Sequence, residues 1–586
     1  MESEVPPVIT LEQRKDFVDT DEQPRHSNES FIAPNLDIKE KPENSKTSSV
    51  VQDGDDTQEK ANVTEENQAI SDEHVFLTGP KLLVVLASVT LVFFLVLLDM
   101  SIISTAIPRI TSDFHSLEDV GWYGAAYNLA SASLQPLTGK FYTHFKTKWT
   151  FLCFFAVFEL GSLLCGVSQS SKMLVISRAV AGMGTSGLMN GALTILTAAA
   201  PMEKRPLFTG IMMGFSQLGL ISGPLIGGAF TEFTTWRWCF YINLPIGGLV
   251  AILLVWVNIP DANVKTDAGT TGFDFFKKLD LVGFCLFAPS SIMLLLALQY
   301  GGNQFAWNSA TVIGLFIGAG ATFIVFMLWD WRVGENAMVP TFLVRQRVVW
   351  SSCAVMIFNM TLVFLASFYL PIYFQTVKGA SPLKSGVDML PSILSQMLFS
   401  VFSGFMVGKL GYYIPWSIGS SILSAVGYGL ITTFSSTTPS REWIGYQVLI
   451  GAGRGCGMQM PLVAIQANVP LSQISVAMSI LVFCQTFGGA VFLTFAQTIL
   501  TQSLRSQIPK YAPGVDPETV IDVGATAVRD VVSKRQLAGV LQAYAKSVDR
   551  VFYLAVGAAC GVFLFAWGMK WTDVRKKKAP AKKGEA

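Results

Sequence analysis

Three ionisable side chains lie deep within long apolar stretches of the sequence: Asp99, Glu159 and Arg178. If each stretch is a membrane-spanning helix, a rise of 1.5 Å per residue puts Asp99 about 26 Å from one surface. The same rise puts Arg178 about 9 Å from the opposite surface, at a similar depth, and Glu159 about 15 Å deep, near the midplane. Charged groups at such depth are costly and are hypotheses for function by default.

Proton coupling is the chemistry that these residue types support. Burial in an apolar site raises the pKa of a carboxyl group and a nearby guanidinium lowers it, so a movement that changes either one loads or releases a proton. We therefore interpret Asp99, Glu159 and Arg178 as candidate proton-coupling residues. The alternatives are a structural ion pair between Asp99 and Arg178, and a hydrogen-bonding role for Glu159.

The composition indicates a membrane protein. The 586 residues are 51% hydrophobic and 14% charged, whereas about a quarter of the residues of a soluble protein are charged. The eight cysteines lie in or beside apolar stretches, so we expect neither disulfides nor a metal site. The four histidines lie outside these stretches, which excludes a histidine proton relay within the membrane.

Fourteen apolar stretches, each near the ~20 residues that a bilayer requires, predict an all-α polytopic membrane protein with about 14 transmembrane helices. They lie at about 82–107, 120–138, 149–168, 173–198, 210–230, 239–258, 280–299, 309–329, 350–374, 386–408, 414–434, 443–464, 475–499 and 551–571.

Basic residues set the expected orientation. With an even number of spans both ends lie on one side, and the loops on that side contain the clusters GKFYTHFKTK, MEKRP and VRKKKAPAKK. Cytoplasmic loops are enriched in lysine and arginine, so we expect both termini in the cytoplasm. Asn28 and Asn62 match the glycosylation triplet, but a cytoplasmic tail would leave them unmodified. The seven bases between 501 and 550 would lie outside, a modest exception in a long loop.

The fifth stretch carries a glycine face. Gly219, Gly223 and Gly227 recur every four residues, so a neighbouring helix can approach closely there. Pro224 lies within this face, and Gly228 follows it. We predict that these residues pack against another helix and that the proline kinks their own.

An internal repeat links the fourth and twelfth stretches. Gly182 and Gly184, followed by LTILTAAAP, have counterparts in Gly451 and Gly453, followed by LVAIQANVP, at an offset of 269 residues. Stretches one to six and nine to fourteen are therefore predicted to be parallel repeats, with the seventh and eighth inserted between them.

Several strings resemble motifs of the major facilitator superfamily, in particular its fourteen-span drug:proton antiporters. They are GxxxGPxxGG from Gly219, WRWCFYINLPIGG from Trp236, LDMSIISTAIP around Asp99 and SRAVAGMGTSG around Arg178. The resemblance implies two six-helix bundles plus two inserted helices, and a role for Arg178 in proton transfer. The chain departs from the family pattern at Ala181, where glutamine is usual. It departs again in the loop after the second span, where Thr143 replaces the expected acid.

These observations give a domain organisation. We expect a disordered acidic tail at 1–80, a six-helix bundle at 81–258, a cytoplasmic linker at 259–279, two inserted helices at 280–329, a cytoplasmic loop at 330–349, a second six-helix bundle at 350–571 with a long external loop at 501–550, and a basic cytoplasmic tail at 572–586. Within the external loop, apolar spacing from Pro517 to Arg550 predicts short amphipathic helices.

The resemblance implies a proton-coupled efflux transporter for hydrophobic small molecules such as a mycotoxin, another secondary metabolite or a drug. Arg454 and Gln217 are candidate substrate contacts, although Arg454 could instead extend to the membrane surface. No GxxxxGK[ST] motif is present, so we expect no ATP, no other cofactor and no enzymatic activity, with a proton gradient as the energy source.

We further expect a monomer in the plasma membrane, or else the vacuolar membrane, whose partners are substrate, protons and lipid but not nucleic acid. Two alternatives stay open. One is uptake or exchange of a defined solute, such as a siderophore or a basic amino acid. The other is a sensor on a transporter scaffold that signals through its acidic tail.

Overall fold

The computed structural model describes residues 76–116, 119–261, 278–302 and 304–575. Most of the expected acidic tail, with Asn28 and Asn62, lies outside these ranges, as do most of the 259–279 linker and the end of the 572–586 tail. Within the described chain the secondary structure is helical, and one isolated β-bridge joins Gly301 and Phe305. The all-α prediction is confirmed.

The first half of the described chain contains seven helices. They are α1 (Gly79–Phe114), α2 (Val120–His144), α3 (Thr147–Gly166), α4 (Ser171–Ala199), α5 (Arg205–Phe233), and the pair α6 (Trp238–Tyr241) and α7 (Asn243–Trp256), which together form the sixth span. Two further long helices follow, α8 (Leu281–Tyr300) and α9 (Ala310–Val333), at the positions of the predicted insertion.

The second half begins with the short helix α10 (Thr341–Val344). It continues through α11 (Arg347–Ile372), α12 (Pro382–Asp388), α13 (Leu390–Leu410), α14 (Ile414–Ile431), α15 (Ser440–Gly457), α16 (Met460–Asn468), α17 (Ile474–Tyr511), α18 (Pro517–Val531) and α19 (Lys534–Ala566). A five-residue π-helix, Tyr373–Val377, extends α11.

Thirteen helical segments of the described chain are long and apolar enough to cross a membrane. The remaining expected span, 120–138, is α2, which has 25 residues but is less apolar. Its polar side chains face protein: Gln135 and Thr138 are fully buried, and Lys140 is 6% exposed. This helix is shielded from lipid by its neighbours, so it needs less apolar surface than the others.

The segment 501–550 differs from the expected external loop. Helix α17 continues to Tyr511 and α19 already begins at Lys534, so only Pro517–Val531 forms a separate short helix. Asp516 caps that helix by accepting hydrogen bonds from the amides of Glu518 and Thr519. The predicted helical spacing was correct, but beyond residue 534 it belongs to the last membrane helix.

The glycine repeat has a structural counterpart in each half. A Cβ atom on Gly182 would overlap the carbonyl oxygen of Tyr127 in α2, and one on Gly451 would overlap that of Ser392 in α13. The second glycine of each pair also lies in close contact with a neighbouring helix. Gly184 contacts α3, and Gly453 contacts α14. The two halves therefore pack their fourth helix by the same glycine-mediated contacts.

The halves meet along two seams, α2 with α17 and α5 with α13. Ser479 of α17 donates to the carbonyl of Pro136 at 3.3 Å, and Ser400 of α13 donates to the carbonyl of Gly210 at 3.2 Å. Both contacts lie near the end of α2 and the start of α5, where the basic loops GKFYTHFKTK and MEKRP are attached. A buried apolar cluster also crosses between the halves.

Candidate functional site

Asp99 and Arg178 form an ion pair in the interior of the first half. Nη1 of Arg178 lies 2.6 Å from Oδ2 of Asp99, and neither side chain is more than 1% exposed. Arg178 lies two turns into α4, whose start is capped by Ser170 through a hydrogen bond from the Met173 amide. The structure thus brings together the two residues that the sequence placed at similar depth.

The remaining sides of Arg178 are also occupied. Its Nε donates to the carbonyl of Tyr123 at 3.0 Å, and its Cζ lies 4.3 Å from the ring centroid of Tyr127 and 5.9 Å from that of Phe240. The Tyr127 hydroxyl is in turn hydrogen-bonded to Thr185 at 2.6 Å. A carboxylate, a carbonyl and two aromatic faces therefore hold the guanidinium as a fixed positive charge.

Asn243 connects this ion pair to α3. Its Nδ2 lies 3.4 Å from the other Asp99 oxygen, Oδ1, and 3.1 Å from the hydroxyl of Ser162, and it donates to both. Both Asn243 and Ser162 are fully buried. Sequence reasoning missed these two residues and Tyr127. The available signal was Asn243 itself, an amide at the start of the very apolar run NLPIGGLVAILLVW.

Glu159 lies one helical turn from Ser162, on the same side of α3. Both of its carboxyl oxygens are buried and have no hydrogen-bond partner among the described residues. The carboxyl group fits against Gly247 of α7, where a Cβ atom would overlap Oε1. Glu159 is also close enough to Asp99 for their charges to interact.

A groove of about 270 Å³ runs between α3 and α7 beside Glu159. Its other lining residues are mostly apolar: Leu152, Phe155, Ala156, Leu244, Gly247, Gly248 and Ala251. Glu159, Ser162, Asn243 and Asp99 form a series of polar side chains that leads from this groove to Arg178.

Comparison with known proteins assigns the family. The profile described as Major Facilitator Superfamily matches residues 89–493. The MFS-type transporter pigP of Monascus ruber is 58% identical over 515 residues, which are 88% of this chain and 90% of that protein. The efflux pump mlcE of Penicillium citrinum is 52% identical over 89% of this chain and 95% of that protein. The efflux pump aflT of Aspergillus parasiticus is 39% identical over 86% of this chain and 98% of that protein.

The chain belongs to the Major Facilitator Superfamily.

Two solved structures share the fold of this superfamily member. The human organic anion transporter MFSD10 matches with a TM-score of 0.51 and 12% identity, over 82% of this chain and all of that chain. A bacterial homologue of the lysosomal transporter Spinster matches with a TM-score of 0.50 and 15% identity, over 86% of this chain and all of that chain. Together with the apolar helices, these relationships make the chain an integral, multi-pass membrane transporter.

In this major facilitator, the glycine face of α5 packs on α1, the helix that carries Asp99. A Cβ atom on any of three glycines of α5 would overlap atoms of α1: Gly219, Gly223 and Gly227. Across the same contact, the Ser101 hydroxyl donates to the carbonyl of Gly219 at 3.2 Å. The close contact holds α1 at the depth where Asp99 meets Arg178.

The packing prediction does not extend to Gly228, because a Cβ atom there would meet nothing within 4 Å in the described chain. The next residue in a helix is turned by about 100°, so Gly228 faces away from α1 while Gly227 faces it. Pro224 is exposed, and α5 continues through it as one helix from Arg205 to Phe233.

The two candidate substrate contacts, Gln217 and Arg454, lie in different halves of the chain. Gln217 is 9% exposed in α5 of the first half. Arg454 is 3% exposed in α15 of the second half, next to Tyr428 of α14. Its guanidinium is thus buried within the protein rather than extended to the membrane surface.

Proposed function

We propose that this major facilitator is a proton-coupled efflux transporter that exports a hydrophobic small molecule, such as a secondary metabolite or toxin, in exchange for protons. The observation that carries the proposal is the fully buried Asp99–Arg178 ion pair. The names of its relatives, efflux pumps mlcE and aflT, support export as the direction of transport.

Protonation of Asp99 is the coupling step in this mechanism. A neutral Asp99 no longer balances the charge of Arg178, and an unpaired guanidinium in a low-dielectric interior is strongly unfavourable. Helices α1 and α4, which the ion pair joins, then separate or rearrange until Arg178 finds water or another acceptor. Deprotonation restores the pair, so each proton taken up and released is tied to one change of packing.

Glu159 acts as a second proton site in the proposal. Ser162 and Asn243 lie between the two carboxyl groups, so a change in the charge of Glu159 at the α3/α7 groove can alter the hydrogen bonding of Asp99. The dry contact between the α5 glycines and α1 prevents protons from passing without substrate. No cofactor takes part, and the proton gradient supplies the energy.

The proposal includes an orientation and a membrane for the transporter. The basic loops face the cytoplasm, as do both termini, and the protein works as a monomer in the plasma membrane or the vacuolar membrane. Its partners are protons, lipid and the exported compound.

Export driven by an imposed pH gradient tests the proposal. Vesicles containing the full-length protein would be loaded with a panel of fluorescent planar hydrophobic compounds. We expect the gradient to drive transport, and we expect Asp99→Asn and Arg178→Gln each to reduce it at least tenfold. The glutamine retains a donor for the Tyr123 carbonyl but removes the charge.

A surface ion pair provides the matched control. Arg109 and Asp113 lie 3.6 Å apart and their side chains are 66% and 42% exposed, so Arg109→Gln should leave transport unchanged. Transport at the wild-type rate in both buried-pair variants, with normal amounts of folded protein, would contradict proton coupling at this pair. A transport rate that does not depend on the imposed pH gradient would contradict proton antiport.

A further inference from the structure

Arg454 is a buried cation without a counter-charge in the described part of the chain. It is 3% exposed, and its Nε and Nη2 have no hydrogen-bond partner there. The described ion pairs include none with Arg454, whereas Arg178 has Asp99. A guanidinium cannot lose its proton in a protein, so this positive charge persists.

The side chains beside Arg454 offer hydrogen-bond donors. Ser420 and Ser424, on one face of α14, are at most 1% exposed, and neither hydroxyl has a partner in the described chain. Both hydroxyls lie against glycines within one helical turn of Arg454: Ser424 against Gly453, and Ser420 against Gly457. Two unused nitrogens of one guanidinium group and two unused hydroxyls therefore lie on adjacent, closely packed helices.

The neighbouring polar groups do not compensate the charge. The Tyr428 hydroxyl already donates to the carbonyl of Leu362, and the Asn359 amide donates to the carbonyl of Gly457 at 3.4 Å. Buried charges in proteins are normally paired, and unused buried donors are normally satisfied. An acceptor that carries negative charge would meet both requirements at once.

The close packing limits the size of that acceptor. A Cβ atom on Gly453 or Gly457 would overlap a serine hydroxyl, so α14 and α15 approach almost to backbone contact. The guanidinium is also nearly inaccessible from outside. Such close packing favours a halide or formate over a drug-sized acid.

We propose that Arg454, Ser420 and Ser424 form a binding site for one small monovalent anion, such as chloride, in the interior of the second half. The bound anion pairs with Arg454 and joins α14 to α15. This proposal does not depend on proton coupling or on the direction of transport.

Thermal unfolding of the purified full-length protein in detergent tests the site. Melting would be followed in sodium chloride and in sodium gluconate at equal ionic strength, so that screening of surface charges is the same. A ligand that binds only the folded state raises Tm by mass action. We expect a saturating rise of about 2–4 °C in chloride, a similar rise in formate, and none in gluconate or benzoate.

Variants locate the effect. Arg454→Gln should abolish the difference between chloride and gluconate, whereas Arg178→Gln, which changes the paired arginine, should retain it. Ser424→Ala should raise the chloride concentration for half-maximal protection about fivefold, because one hydrogen bond to the anion is lost. That variant decides the question if Arg454→Gln does not fold.

Three results would overturn the proposal. The first is an equal Tm in chloride and gluconate for the wild type. The second is a chloride effect that persists in Arg454→Gln, or an unchanged half-saturation in Ser424→Ala, which would place the anion elsewhere. The third is protection by benzoate as strong as that by chloride, which would identify an organic acid as the ligand.

Discussion

The two halves of this transporter share their packing but not their charges. Each has a buried arginine in the fourth span of its bundle, Arg178 in α4 and Arg454 in α15. Arg178 is paired with Asp99 at 2.6 Å, whereas Arg454 has no acidic partner in the described chain. The first half therefore holds a buried ion pair and the second a buried cation without an acidic partner in the described chain.

The position in the second half that corresponds to Arg178 makes the difference in charge between the halves clearer. The offset of 269 residues that relates the two glycine pairs makes Gln447 the repeat counterpart of Arg178. Gln447 donates to the carbonyl of Asp388 at 2.8 Å, just before α13, as Arg178 donates to the carbonyl of Tyr123 at 3.0 Å in α2. The fold needs a donor at this position in both halves. A neutral glutamine supplies that donor in the second half, so the hydrogen bond alone does not require the charge of Arg178.

The largest effect should come from substitutions that remove one or both charges of the buried ion pair in the first half. Removing one partner of a buried ion pair destabilises a protein by about 3–5 kcal/mol. We expect Asp99→Asn and Arg178→Gln each to lower Tm, and the double variant to regain most of the loss without regaining transport. Melting temperature and gradient-driven transport would be measured on all three. Recovery of transport in the double variant would reduce the pair to a structural lock.

A charge placed at the corresponding position of the second half sharpens the comparison. Gln447→Arg introduces a buried cation beside Asp388, whose carboxylate already pairs with Lys384 at 3.5 Å, so we expect a loss of several kcal/mol. Gln447→Ala removes only a hydrogen bond to a carbonyl and should cost about 1–3 kcal/mol. Denaturation of both purified variants measures the difference. An arginine tolerated better than alanine would show that the second half also accommodates a charge there.

Substitutions of Gly182 and Gly451 test whether the two halves share the same helix packing. Gly182→Ala and Gly451→Ala both push a methyl group into a backbone carbonyl, so each should cost about 1–3 kcal/mol, and by similar amounts. Gly228→Ala meets open space and should be neutral or slightly stabilising. Melting curves of the three variants provide the measurement. A large difference between Gly182 and Gly451 would mean that the halves do not share this packing.

The smallest effect should come from an exposed ion pair. Arg505 binds both carboxyl oxygens of Glu518, at 2.7 and 3.0 Å, and this hydrogen bonding holds the pKa of Glu518 below its ordinary value. A lowered pKa stabilises the folded state above the ordinary pKa, and the effect is lost as the pH falls through the lowered one. Glu518→Gln should therefore reduce Tm by under about 1 °C at neutral pH, with the difference from wild type disappearing in acid. Transport should not change.

The features that could be predicted from the sequence are those that depend on a local residue pattern. Apolar length located the spans, and the repeat of glycines every four residues located the face of α5 that packs on α1. The depth of Asp99 and Arg178 followed from helix rise alone, because both helices cross the same apolar layer.

Contacts between distant segments were beyond the sequence. Asn243 matters because α7 lies between α1 and α3, where its amide reaches both Asp99 and Ser162. Nothing in the spacing of α3 and α7 fixes that arrangement. That no described acid lies beside Arg454 was equally hidden, since it depends on every helix packed around α15.

The inserted helices α8 and α9 cover only one of the two seams between the halves. Phe287 of α8 lies 5.1 Å from Phe483 of α17, and Trp122 of α2 lies 6.0 Å from Tyr300 of α8, measured between ring centroids. Across the α5/α13 seam, the described chain places no such pair of membrane-length helices. In the described chain, lipid acyl chains can therefore border the α5/α13 seam directly, whereas α8 separates the α2/α17 seam from them.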